Sequence, residues 1–223
     1  MMRLAGPGVL AATLLFLVGC GGDHAGHEDE DHAAHEAHEH HDEAHAGHDH
    51  VGLEATDGPG FTVADVRFMQ MMIGHHAQAL VMAEMAPTHG AGERLLLLAE
   101  KIEISQHDEI ALMKRWLAER GQDVPDEAQI QAMRMPGLVS DEDLARLDAA
   151  RGEEFDRLFL TLMIEHHVGA VQMVEELFDS PGAGQDSEIW AFANDVATDQ
   201  LDEIGAMEAM LAELDTTPRS ESR

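Results

Sequence analysis

From Thr62 to about Leu214, apolar residues recur three and four positions apart, and the Gly and Pro clusters fall only between long periodic stretches. That is the spacing of one buried helix face, and no alternating strand pattern competes with it. The first helix is predicted over 63–86, with Thr62 as N-cap and Asp65 placed to complete a capping box. Pro87, Gly90 and Gly92 end it. A second helix is predicted over 93–120 and closes at Gly121, a residue suited to the left-handed cap. Residues 122–152 form a longer connection with Pro125 and Pro136, and the Ser140-Asp141-Glu142-Asp143 run predicts a helix start inside it. Two more long helices are expected over 153–178 and 187–214, separated by Ser180-Pro181-Gly182.

The pattern is duplicated. MIGHHAQALVMAEM, beginning at Met72, matches MIEHHVGAVQMVEE, beginning at Met163, at an offset of 91 with seven of fourteen residues identical. Asp65 and Phe68 match Asp156 and Phe159 at the same offset. QHDEIALM from Gln106 matches QLDEIGAM from Gln200 at an offset of 94. Two copies of a helical hairpin, 62–121 and 153–214, bury their apolar faces most simply as an all-α four-helix bundle over 61–215. The long 122–152 crossover favours a ferritin-like connection.

At about 100° per residue, Met72, His76, Ala79 and Ala83 share one helix face, with His75 and Met82 on its flank. Met163, His166, His167, Ala170 and Met173 repeat the arrangement. Each motif helix thus presents two His and two Met toward the bundle or its rim, and Ala79 and Ala170 leave room beside them. Adjacent His point about 100° apart, so one of each pair is expected to line a pocket while the other faces solvent or a second site. His107 has Leu201 at its repeat position and is an unduplicated candidate ligand. His89 is expected to be exposed in a turn, and Trp116 and Trp190 to pack in the core or at the bundle ends.

Met-x-x-His stands where a di-iron bundle carries Glu-x-x-His. The soft thioether shifts preference from Fe and Mn toward Cu(I), with imidazole able to serve Cu(II) or Zn(II). No G-x-S-x-G occurs, and the lone Cys20 rules out an internal disulfide framework or a Cys-rich zinc site. The chain is therefore expected not to be an enzyme.

The N-terminal segments carry different signals. Residues 1–20 have a basic Arg3, an apolar run from Leu10 to Val18 and a Leu17-Val18-Gly19-Cys20 ending. The run is too short for a comfortable membrane span and reads as a signal peptide. Its ending resembles a bacterial lipobox, which implies lipidation at Cys20 and an N-terminal membrane anchor. Residues 21–60 are expected to be a disordered tether, because only Val51 and Leu53 are large and apolar there. Between 23 and 50 they hold ten acids and no Lys or Arg. The same stretch carries ten imidazoles: His24, His27, His32, His35, His38, His40, His41, His45, His48 and His50. Those imidazoles suit Cu(II), with zinc or nickel as further candidates. Residues 216–223 are expected to be a disordered C-terminus.

Net charge then narrows the partners. Thirteen Lys and Arg face 44 Asp and Glu, for a formal charge of -31. That balance excludes nucleic acid and anionic membrane surfaces, since both need cationic side chains.

The doubled M-I-x-H-H-x-x-A-x-x-M helices, the Phe155-to-Leu160 run and the Q-x-D-E-I segments resemble the bacterial family catalogued as domain of unknown function 305. That family includes CopM-like periplasmic copper-binding proteins. The resemblance implies a ferritin-like bundle, an extracytoplasmic location and copper binding through Met72, His75, His76 and Met82, and through Met163, His166, His167 and Met173. Gly74 departs from the second motif, which has Glu165. The expected function is that of a lipid-anchored, extracytoplasmic copper buffer or metallochaperone, with a copper-transfer partner and an oligomeric state the sequence does not define. A ferritin-like metal-dependent oxidase and a helical interaction module on a His-rich tether are the competing classes.

Overall fold

The computed structural model describes residues 52–216; the signal-like segment with Cys20, the ten tract histidines and residues 217–223 lie outside the described residues. Thr62 starts the first helix as its sequence requires. Its hydroxyl accepts from Asp65 N, and Asp65 Oδ2 accepts from Thr62 N at 2.8 Å, closing a full capping box. Helix α1 spans Val63–Ala83, and the chain then tightens into a 3-10 turn, Ala86–Thr88, around Pro87. The predicted end at 86 ran past the α-helix because Pro87 has no N–H to continue the ladder. Helix α2 is Glu93–Glu119, α5 is Glu153–Asp179 and α6 is Ser187–Thr216.

The crossover holds two short helices. Helix α4, Asp141–Ala149, begins where Ser140 caps it, with Ser140 Oγ accepting from Asp143 N. Helix α3, Glu127–Ala132, was not foreseen; Asp126 and Gln129 supply its capping box. It is too short to show a periodic face, so its cap was the only local signal. Among the described residues there is no strand, only an isolated bridge between Gly58 and Phe61.

The four long helices form a ferritin-like bundle. One apolar cluster joins the N-terminal half of α1 (Val66 to Ile73) and the C-terminal half of α5 (Ala170 to Leu177) to Met113, Trp116 and Leu117 of α2 and Ile189 to Val196 of α6. The other joins the opposite halves: Ala79 to Ala83, Phe155 to Met163, Leu95 to Ile102 and Met207. Helices α1 and α5 therefore run antiparallel, as do the members of each hairpin. Helices α2 and α5 run parallel, so the 122–152 crossover must travel the length of the bundle.

The repeat fixes how the hairpins interlock. Asp65, at the start of α1, accepts from Gly184 N at 2.8 Å in the turn of the second hairpin. Its repeat partner Asp156, at the start of α5, accepts from Gly92 N at 3.1 Å in the turn of the first. Each hairpin thus begins by holding the other's turn. Lys101–Glu203 (3.3 Å) and Arg94–Glu213 tie α2 to α6.

Three expectations need correcting. Residues 52–60, assigned to the disordered tether, are hydrogen-bonded to the bundle: Arg67 donates to Leu53 O, Gln70 to Glu54 O, and Thr56 N to Gln122. Gln70 and Arg67 need those acceptors once they are enclosed, and two large apolar residues gave no hint of it. Trp190 is 58% exposed, whereas Trp116 is buried against Phe61 with Arg120 over its ring. His89 is buried rather than exposed, with Nδ1 on Met85 O and Nε2 on Asp148 O.

Candidate metal centre

Between the two apolar clusters lies a polar layer. Helices α1 and α5 cross there with their His pairs facing inward, and His75, His76, His166 and His167 are all 0% exposed. Of the two places expected for the second His of each pair, solvent or a second site, the first is excluded, since all four are buried. The 100° between neighbours is accommodated because each motif helix meets two others. His75 and His166 meet each other between α1 and α5, with ring centroids 3.8 Å apart. His76 turns to α2, where Nε2 lies 2.5 Å from Glu109 Oε2. His167 turns to α6, where Nε2 lies 2.8 Å from Glu203 Oε2.

The hydrogen bonds select a tautomer. His75 Nε2 faces Pro136 O at 3.2 Å and His166 Nε2 faces His75 O at 3.1 Å. A carbonyl only accepts, so both nitrogens carry the proton and donate. The two carboxylates make the same demand of His76 and His167. In the neutral rings of His75 and His166, Nδ1 is then left as a lone pair. All four Nδ1 atoms are buried without a partner. Burial lowers the His75 pKa to about 3, helped by the neighbouring His76 and His167. Burial also pushes His166 well down, with His75 next in effect. These two rings are uncharged near neutral pH, the form that ligates metal. Burial alone would raise Glu203, but the His167 hydrogen bond and charge, with Lys101, bring it below its ordinary value.

Other unpartnered atoms gather on the segments facing this layer. Gln106, one turn before Glu109, has both amide atoms buried and unpartnered, as has Gln200 its oxygen, one turn before Glu203. Among the described residues, Trp116 Nε1 is the one further buried side-chain atom of this kind. Native interiors leave few such groups, and a concentration of them marks a place built for something else to bind.

Thioethers flank the layer on both sides. Met72 and Met173 belong to one apolar cluster, Met82 and Met163 to the other, and all four are buried. Met69, Met113 and Met207 are also fully buried. Among the described residues, no three His, Cys, Asp or Glu side chains already form a metal cage. The donors that fit a metal here are neutral imidazole nitrogens supplemented by thioether sulfur, a set that suits soft copper over iron. The inward carboxylates are both held by imidazoles, in the way an outer carboxylate orients a ligating His.

Of the residues the sequence nominated, the structure brings together the four His and sets the four Met on either side. His107 lies exposed on α2. Glu109, Glu203, Gln106, Gln200 and Pro136 were not nominated. The duplicated Q-x-D-E-I segment was their signal, but sequence alone does not say which of two adjacent acids turns inward. Asp108 and Asp202 face solvent.

A ferritin-like bundle with a buried, duplicated His layer between methionine clusters defines a class of helical bundle proteins with soft-donor cores. Within it, the family model "Domain of unknown function (DUF305)" matches residues 65–211, and the chain belongs to that family. A DUF305 protein from Streptomyces coelicolor is 26% identical, with a TM-score of 0.61, over 68% of this chain and 94% of that one. A DUF305 fragment from Deinococcus radiodurans is 31% identical, with a TM-score of 0.60, over 70% and 99%. CopM in its Cu(I)-bound form is 31% identical, with a TM-score of 0.55, over 67% and 96%. CopM was also solved in Cu(II)-bound and Ag-bound forms. The comparison with curated proteins gave no significant match.

Proposed function

We propose that this protein binds copper outside the cytoplasm, tethered by a lipid on Cys20, and buffers it or hands it on. The observation that carries the reading is the set of four buried Nδ1 atoms, unpartnered and flanked by buried thioethers. Imidazole and thioether together can hold Cu(I), and the imidazoles alone can hold Cu(II). Copper-bound forms of CopM, a structural relative, support the choice of metal. The His tract would collect ions with fast exchange, zinc and nickel among them, and the bundle would select copper. Nothing in this scheme requires turnover, and both inward glutamates are held by His76 and His167 rather than left to bridge metals. The location rests on the signal-like N-terminus. Among the described residues, no helix is long and apolar enough to cross a membrane.

The test is competition for Cu(I) and Cu(II) against chromogenic chelators. It uses the full chain, a chain with its ten tract His changed to Asn, and that chain carrying also His75→Gln and His166→Gln. The tract-free chain should still take up copper, and the added substitutions should abolish that uptake. A tract-free chain that binds neither oxidation state would end the bundle-site reading. Metabolic labelling with a radioactive fatty acid, lost in Cys20→Ser, tests the anchor.

A further inference from the structure

The crossover between the hairpins passes over the His layer as Met133-Arg134-Met135-Pro136-Gly137. Three contacts fix it there. Pro136 O takes the His75 Nε2 hydrogen bond. At Gly137 a Cβ would stand 2.7 Å from His166 O, and at Gly169 a Cβ would stand 2.4 Å from Pro136 O, so backbone lies on backbone at α5. At Gly74, immediately before His75, a Cβ would stand 2.6 Å from the Met133 sulfur and 3.4 Å from the Met135 methyl.

Gly74 explains itself through that sulfur. Gly inside a helix costs about 1 kcal/mol relative to Ala. The second motif avoids it with Glu165, which is exposed. Only the first copy lies under the methionine pair, and only it gives up its side chain to admit a thioether against the backbone. Met133 is 2% exposed and Met135 is partly exposed. The two sulfurs thus lead from the surface to the helix turn that carries His75, whose Nδ1 has no partner.

We propose that Met133 and Met135 form a thioether docking site for a soft monovalent cation, Cu(I) or Ag(I), through which the ion reaches His75 and His166. The inference rests on the copper reading above and adds its point of entry. Thioethers discriminate against hard and divalent ions, so this route admits reduced copper and leaves Cu(II) to the imidazole tract. No oxidation or proton transfer is needed; the ion exchanges one set of neutral ligands for another.

The experiment uses the full chain labelled with ¹³C at the Met methyl groups and titrated with Ag(I), then anaerobically with Cu(I). The His tract contains no Met, so its binding leaves those signals untouched. The Met133 and Met135 methyl resonances, assigned through Met133→Leu and Met135→Leu, should shift within the first equivalents. Leu conserves volume well enough to keep the fold. The double variant should load the bundle with Cu(I) about tenfold more slowly, a decade of rate. Unmoved Met133 and Met135 signals, while the His75 and His166 imidazole resonances respond, would overturn the docking site and leave the bundle reading intact. Shifted methyls beside unmoved imidazoles would uphold the docking site and defeat the His layer as its destination.

Discussion

Acid should loosen this bundle well above the range in which its carboxylates titrate. His75 and His166 are fully buried as neutral rings, and burial holds His75 at about 3 and His166 well below its ordinary value. In the unfolded chain each titrates near 6.5. The unfolded state therefore binds protons that the folded state refuses, and stability falls as pH drops below about 6.5. The full contribution is present above that value, and the loss continues until pH approaches the folded pKa. Each ring costs about 1.4 kcal/mol per pH unit, so at pH 5 the pair removes about 4 kcal/mol. That is a large part of the 5–15 kcal/mol typical of a domain. Asp156 and Asp199 are pushed upward, chiefly by burial, and act in the opposite sense at the acid end. Urea unfolding followed by far-ultraviolet circular dichroism at half-unit steps from pH 7.5 to 5 reads the slope. Its midpoint should fall steeply below pH 6.5 in the wild type and stay nearly level in a His75→Gln/His166→Gln variant. A flat wild-type midpoint, or an equal slope in the variant, would refute the assignment of buried neutral rings.

Gly169→Ala would set a methyl 2.4 Å from Pro136 O, where only backbone could yield; a loss of about 2 kcal/mol or more is expected by thermal unfolding. Glu203→Gln removes the carboxylate that orients His167 at 2.8 Å; copper affinity should weaken about tenfold to a hundredfold in chelator competition, with little change in secondary structure. Asp65→Ala breaks the capping box of α1 and the bond to Gly184 N together; about 2 kcal/mol should be lost in urea unfolding. Saturating the bundle at a hundred times its dissociation constant should restore about 2.7 kcal/mol, read as a raised melting temperature of the tract-free chain.

Much of this was legible in the residues because the duplication states each instruction twice. The long helices follow from periodicity and from caps such as Thr62 and Ser140. The bundle follows from two like hairpins, and the His layer from the repeated His-His pairs. What escaped depended on partners distant in sequence. Asp65 and Asp156 were visible as a matched pair, but Gly184 and Gly92 accept no side-chain signature for the backbone N–H they donate. Glu109 and Glu203 sit beside Asp108 and Asp202, and only the rotation of α2 and α6 in the bundle decides which acid meets a histidine. Helical geometry alone left open whether the second His of each pair faces solvent or a second site. In a four-helix bundle a 100° divergence still leaves both rings inside, because each motif helix is covered on two sides.

The crossover also accounts for the way the two copies differ. A duplicated pair of hairpins would on its own create two equivalent half-sites, yet a single connection passes over one side of the layer. His75 donates its Nε2 proton to that connection at Pro136 O, while His166 donates to the backbone of α1 at His75 O. Lifting the crossover would therefore free one imidazole and leave the neighbouring His166 anchored in the bundle. Gly74 against Glu165 records the same asymmetry in sequence. The bundle fixes one half of the His layer by symmetry, and the connection that breaks the symmetry lays Met133 and Pro136 against the other half.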